Sequence, residues 1–124
     1  MKSITINDSK KISDLQKEFN DVFPFLKLEF FHRPHVNHRG SVRKDMFNTG
    51  MTLKECNKKD AKGSILLKAD MKVSELEELF QNVFGLSVQV FRKSGNAWLE
   101  TTVTDDWSLE QQNDAGRELS SLSE

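Results

Sequence analysis

Hydrophobic positions change their period twice within each half of the chain. Ser3-Ile4-Thr5-Ile6-Asn7 alternates, as a strand buried on one face does. Ile12, Leu15, Phe19, Val22 and Phe23 then recur at three- and four-residue spacing, which predicts an amphipathic helix stopped by Pro24. Leu26, Leu28 and Phe30 alternate with Lys27, Glu29 and Phe31, giving a second strand with one apolar face. The order then returns. Ser64 to Lys68 reads as a strand, Val73, Leu76, Leu79, Phe80, Val83 and Phe84 as a helix stripe, and Gly85 as its stop. Val88 and Val90, set against Ser87, Gln89 and Phe91, close the second β-α-β unit. Ser13 with Gln16 and Ser74 with Glu77 fit the capping-box spacing, with Ser9 and Asp70 as competing caps.

The two units are copies. Laying Ser3 to Phe23 over Ser64 to Phe84 at an offset of 61 gives eight identities in 21 pairs, among them Ile4 with Ile65, Lys11 with Lys72, Phe19 with Phe80 and Phe23 with Phe84. Chance would give about one or two at typical residue frequencies. After a one-residue slip, Leu26 falls on Leu86, Leu28 on Val88 and Phe31 on Phe91. Lys93-Ser94-Gly95-Asn96 is a turn, so Trp98 to Thr104 should fold back on Val88 to Arg92 as an additional hairpin strand. These elements predict an α+β ferredoxin-like sandwich in a single domain, 1–124, with repeat units 3–33 and 64–93 and two helices on one face of a mainly antiparallel sheet. Leu15, Phe19, Phe23, Leu76, Phe80 and Phe84 are its expected shared core. The connector 34–63 is too long to be structureless, and a strand around Val42 to Phe47 and a helical turn within Leu53 to Asp60 are expected there. Residues 105–124 read as a peripheral polar tail, with Ser108 and Gln111 spaced to cap a short helix.

Composition narrows the function classes. With 36% hydrophobic and 30% charged residues, 124 residues can bury one core, and a net charge of −1 gives no bulk attraction to nucleic acid or membrane. The apolar stretch Val22 to Leu26 is short and broken by Pro24, and Met1 to Lys11 is polar, so neither a membrane span nor a signal peptide is expected and the location is read as cytoplasmic. One cysteine, Cys56, excludes an internal disulfide and a CxxC motif. There is no P-loop, GxGxxG, GxSxG or HExxH pattern, so no enzyme is nominated and no cofactor is expected.

Four features carry candidate chemistry. His32, His35 and His38 recur every third residue, but Pro34 and Gly40 argue against the helix that would align them, and only Asp45 lies nearby as a further ligand. They read as an exposed loop without metal. Arg33, Arg39, Arg43 and Lys44, offset by Asp45, give the same segment a charge of +3 and make it a candidate anion-binding loop. Against a nucleic-acid role, the central strands lack the stacking aromatics of RNA-recognition sheets. Cys56 among Lys54, Lys58 and Lys59 invites a lowered thiol pKa, yet no base pairs with it in the sequence. Trp98 and Trp107, with Glu100 between them, are either lids over the core or anchors for a partner. The expectation is a non-catalytic protein-interaction module, monomer or homodimer, using Trp98, Glu100 and Trp107; the rival is nucleic-acid or anion binding through 32–45.

Two resemblances bear on this. Ser87 to Thr102 with Asp105 to Asn113 (VQVFRKSGNAWLETT and DDWSLEQQN) resembles a family of small uncharacterised bacterial proteins, which implies no activity. Ile65 to Asn113 is similar in order to the ubiquitin-like β-grasp: a strand, Lys72-Val73-Ser74-Glu75-Leu76 opening a helix, Gly85-Leu86 before a strand, and Ser108-Leu109 with Asn113 after it. That likeness implies a β-grasp variant as the alternative architecture, and it calls for a hairpin partner ahead of Ile65 that the sequence does not show.

Overall fold

In the computed structural model, described for residues 2–32, 46–56 and 62–122, like strand pairs with like. β1 (Lys2–Ile6) and β3 (Gly63–Leu67) form an antiparallel two-stranded sheet, and β2 (Leu26–Phe31), β4 (Ser87–Ser94) and β5 (Ala97–Glu100) form an antiparallel three-stranded one in that order. Four helices complete the described elements: α1 (Ile12–Val22), α2 (Leu53–Cys56), α3 (Val73–Phe84) and α4 (Leu109–Leu122).

The α+β class holds, but the strands lie in two sheets where the expected sandwich has one. The register explains the difference. Ile4 lies opposite Ile65, its counterpart at the offset of 61, and Glu29 lies opposite Gln89, its counterpart after the slip. The β1–β3 and β2–β4 pairs are therefore each symmetric about a pair of equivalent residues, which is what two copies meeting around a twofold produce. The partner that the β-grasp order wants beside Ile65 is β1, supplied by the other copy.

The repeat also reaches further than the sequence suggested. The first free N–H groups of α1, at Ile12 and Ser13, donate to the carbonyls of Met51 and Thr49, both at 2.9 Å. At α3, Val73 and Ser74 donate to Trp107 and Asp105 at 3.0 and 2.9 Å. Distant backbone thus satisfies the orphan donors that a capping side chain would otherwise take. The boxes expected at Ser13 and Ser74 do not form, because the helices start earlier, after Lys11 and Lys72. Capping boxes stand before α2, where Thr52 N donates to Glu55 Oε1 at 3.0 Å, and before α4, where Ser108 N donates to Gln111 Oε1 at 2.8 Å, and at α3 the reciprocal bond runs from Lys72 N to Glu75 Oε1 at 3.3 Å. Each copy is β-α-β followed by a further helix.

Leu15, Phe19, Phe23, Leu76, Phe80 and Phe84 are all buried in one cluster, as expected, joined by Leu53 and Leu109 at 0% exposure. The tail is less peripheral than its composition implied. Leu109 and Gln112 are buried, and α4 packs on β4 and β2, with Gly116 against Phe25. β5 ends at Glu100, short of the expected Thr104, because Thr101 turns both its N–H and its hydroxyl onto the carbonyl of Val90. The free edge of β2 is closed by the same copy: the carbonyls of Leu26, Leu28 and Phe30 accept from Asn20 Nδ2 (2.9 Å), Gln16 Nε2 (2.6 Å) and Phe47 N (2.8 Å). Of the connector, the helical turn appears as Leu53–Cys56 and Met46 bridges to Phe31; the rest of the expected strand at Val42 to Phe47, apart from Phe47, lies outside the described residues.

Candidate functional site

Alternation turns Leu26, Leu28, Phe30, Val88 and Val90 toward the core and Lys27, Glu29, Phe31, Gln89 and Phe91 to the opposite face of the sheet. On that outer face Lys27, Glu29, Phe31, Phe91, Trp98 and Glu100, with Met46 at one side and Leu99 of β5 at the rim, line a groove of about 460 Å³. The β4–β5 hairpin makes its wall. Gly95, at φ 61°, supplies the left-handed turn residue that lets β5 fold back, and pairing then puts Trp98 beside Lys93 and Glu100 beside Phe91.

Charge and aromatic faces meet in the groove. Lys27 Nζ lies 5.1 Å from the centre of the Trp98 ring and 5.4 Å from that of Phe91, within cation–π range of both. Glu29 is only 7% exposed; its Oε1 accepts a 2.7 Å hydrogen bond from Gln16 Nε2, which reaches round the free edge of β2. Beside it, Gln89 is fully buried. Its Nε2 donates to Val90 O at 3.2 Å, and its Oε1 has no hydrogen-bond partner. An unsatisfied buried acceptor costs about 1–3 kcal/mol, so its retention on this face needs a reason.

Of the residues singled out from sequence, the fold brings Trp98 and Glu100 together. Trp107 goes elsewhere: its ring stacks under the Arg92 guanidinium at 5.9 Å, and Arg92 belongs to the opposite face of β4 and donates from Nη1 to Gln112. Lys27, Phe31 and Phe91 were legible only as the second face of two strands; the signal for a site was that this nominally polar face carries aromatic rings.

Arg33, Arg39, Arg43, Lys44, His35 and His38 lie outside the described residues. His32 is exposed, with its ring 3.8 Å from that of Phe47. Among the described residues there is no group of three or more histidine, cysteine or acidic side chains able to hold a metal ion. The lysines beside Cys56 in the sequence do not lower its pKa. Burial, and then the charge of Glu55, push the thiol up to about 11, which removes the thiolate a nucleophile needs.

No protein-family model, curated protein or solved structure matches the chain. No helix among the described residues is long and apolar enough to cross a membrane.

Proposed function

We propose that the chain is a non-catalytic protein-interaction module whose binding surface is the groove on the outer face of the β2–β4–β5 sheet. One observation carries the reading: the half-buried Phe91 and Trp98 gather, beside the buried Phe31, on the sheet face turned away from the core, around a cleft large enough for side chains. β5 is the last strand of its sheet among the described residues, so an extended segment laid beside it reaches the groove with its side chains.

The test is a photo-crosslinking residue placed at Glu100, exposed and opposite Phe91, in the living source cell, with Leu66 on β3, 43% exposed, as the reference position. A discrete adduct from position 100 that disappears with Trp98→Ala is the expected outcome. Equal labelling from both positions would remove the groove as the binding surface. A nucleic-acid complex that weakens steeply with salt and depends on Arg39 and Arg43 would replace this reading with the anion-binding one.

A further inference from the structure

The β1–β3 sheet has two outer edges, one from each repeat, and the molecule treats them differently. Its ladder runs from Lys2 opposite Leu67 to Ile6 opposite Gly63, and antiparallel pairing turns the N–H and C=O of every second residue away from the partner strand. On β1 the outward set includes Thr5, whose carbonyl accepts from Lys10 Nζ. Register then makes Ser64 and Leu66 the outward residues of β3. Lys10 is largely buried in its place and is held there by Glu18. A lysine laid along an edge strand keeps further strands from pairing with it.

The second repeat lacks this device. At the offset of 61, Met71 stands for Lys10, Leu79 for Glu18 and Leu66 for Thr5. Met71 and Leu79 pack on the core, and no described residue donates to the outward carbonyls of Ser64 and Leu66. Among the described residues β3 has no strand on its other side, and Leu66 stands 43% exposed on the strand that carries this edge.

A strand of the same kind fits it. β1 and β3 are repeats of one strand, and they already pair antiparallel with Ile4 opposite Ile65, so this strand type takes its own repeat as a neighbour. Joining two β3 strands about Ile65 would set Lys62 of one chain against Lys68 of the other. Joining them about Leu66 sets leucine against leucine and Ser64 against Lys68. We infer that two copies of the chain associate through the outer edges of β3, antiparallel and centred on Leu66, so that two two-stranded sheets become one of four strands. The contact is isologous, and it closes at two chains because Lys10 blocks the β1 edge at either end. It is a different surface from the groove.

The full chain is followed by sedimentation equilibrium from roughly 10 µM to 1 mM, the range suited to a short edge contact, with amide exchange read by NMR at both limits. The mass should rise from one chain toward two. The amides of Ser64 and Leu66 should exchange roughly fivefold more slowly in the concentrated sample, while those of Ser3 and Thr5 keep their rates. Leu66→Lys, at an exposed position, brings like charges together and should weaken the dimer roughly tenfold. Lys10→Met combined with Glu18→Leu copies the open edge onto β1 and should give species larger than a dimer, with Ser3 and Thr5 now protected as well. In the cell, the crosslinker at Leu66 should join two copies of the chain.

A mass of one chain at every concentration overturns the inference. A dimer whose Ser64 and Leu66 amides exchange as fast as in the dilute sample overturns it too, since another surface then holds the chains. A crosslinker at Leu66 that captures a different protein and never a second copy gives the edge to that protein and ends the self-pairing reading. The groove is judged separately, by the adduct from position 100.

Discussion

Glu29 faces Gln89 across β2 and β4, and each is the other's counterpart in the two copies that make up the chain. At the matching place in the other sheet, Ile4 faces Ile65 unchanged. The core side of the twofold has kept one residue type and the groove side has two, an acid and an amide. The groove is one-sided for a related reason: β5 and its turn follow only the second copy, so Trp98 has no equivalent beside β2 among the described residues.

Phe19 and Phe80 occupy equivalent places on α1 and α3, at 0% and 2% exposure in one cluster. Phe19→Ala and Phe80→Ala should each lower the stability by about 3–5 kcal/mol in urea denaturation, from lost transfer energy plus the cavity left behind. A midpoint that stays in place for either variant would show that the two copies do not share a core.

Gly116 sits in the middle of α4, where alanine is the better helix former by ~1 kcal/mol. A Cβ there would lie 2.9 Å from Phe25 Cβ, 3.1 Å from Phe25 O and 3.2 Å from Arg92 Cγ. Two of these contacts are with groups fixed by the backbone, so Gly116→Ala should be destabilising overall, by about 1–3 kcal/mol before the propensity gain is subtracted. Thermal denaturation gives the sign directly, and a raised midpoint would mean that α4 moves off the sheet freely.

Cys56 should behave as an inert thiol. Burial first, then the Glu55 charge, raise its pKa from 9.0 to about 11, so alkylation by iodoacetamide at neutral pH should run roughly a hundredfold slower than for an unperturbed thiol. The unfolded chain ionises this group at lower pH than the folded one. The contribution to stability is therefore complete below pH 9.0 and is lost as pH climbs toward 11. Cys56→Ser should flatten that part of the stability profile, and an unchanged slope would refute the assignment.

Glu55 titrates below its usual value of 4.5, first because the backbone N–H of Thr52 donates to its carboxylate and second because the Thr52 hydroxyl does. Carboxyl chemical shifts followed through acid should place its midpoint below that of free glutamate. In Thr52→Val the hydroxyl bond is gone and the backbone bond remains, so the midpoint should return only part of the way. The sign for stability follows: the box helps above the ordinary carboxylate range and its help is lost as pH falls through the lowered midpoint.

The periods along the chain by themselves determined that α1, α3 and the strands β1 to β4 form and that Phe19, Phe23, Phe80 and Phe84 are buried, because amphipathic elements need their apolar residues at fixed local spacing. The pairing Ser108 with Gln111 was legible for the same reason, since both partners lie within one turn. Only the tertiary structure decided that β2 joins β4, that the backbone at 49–51 and 105–107 caps α1 and α3, and that α4 belongs to the core. Hydrogen bonds between remote backbone segments leave no pattern in side-chain order. Alternation showed that Phe31 and Phe91 turn away from the helices, but their meeting with Trp98, Lys27 and the Glu29–Gln89 pair depends on which strands lie side by side, a choice made through space by register and twofold packing.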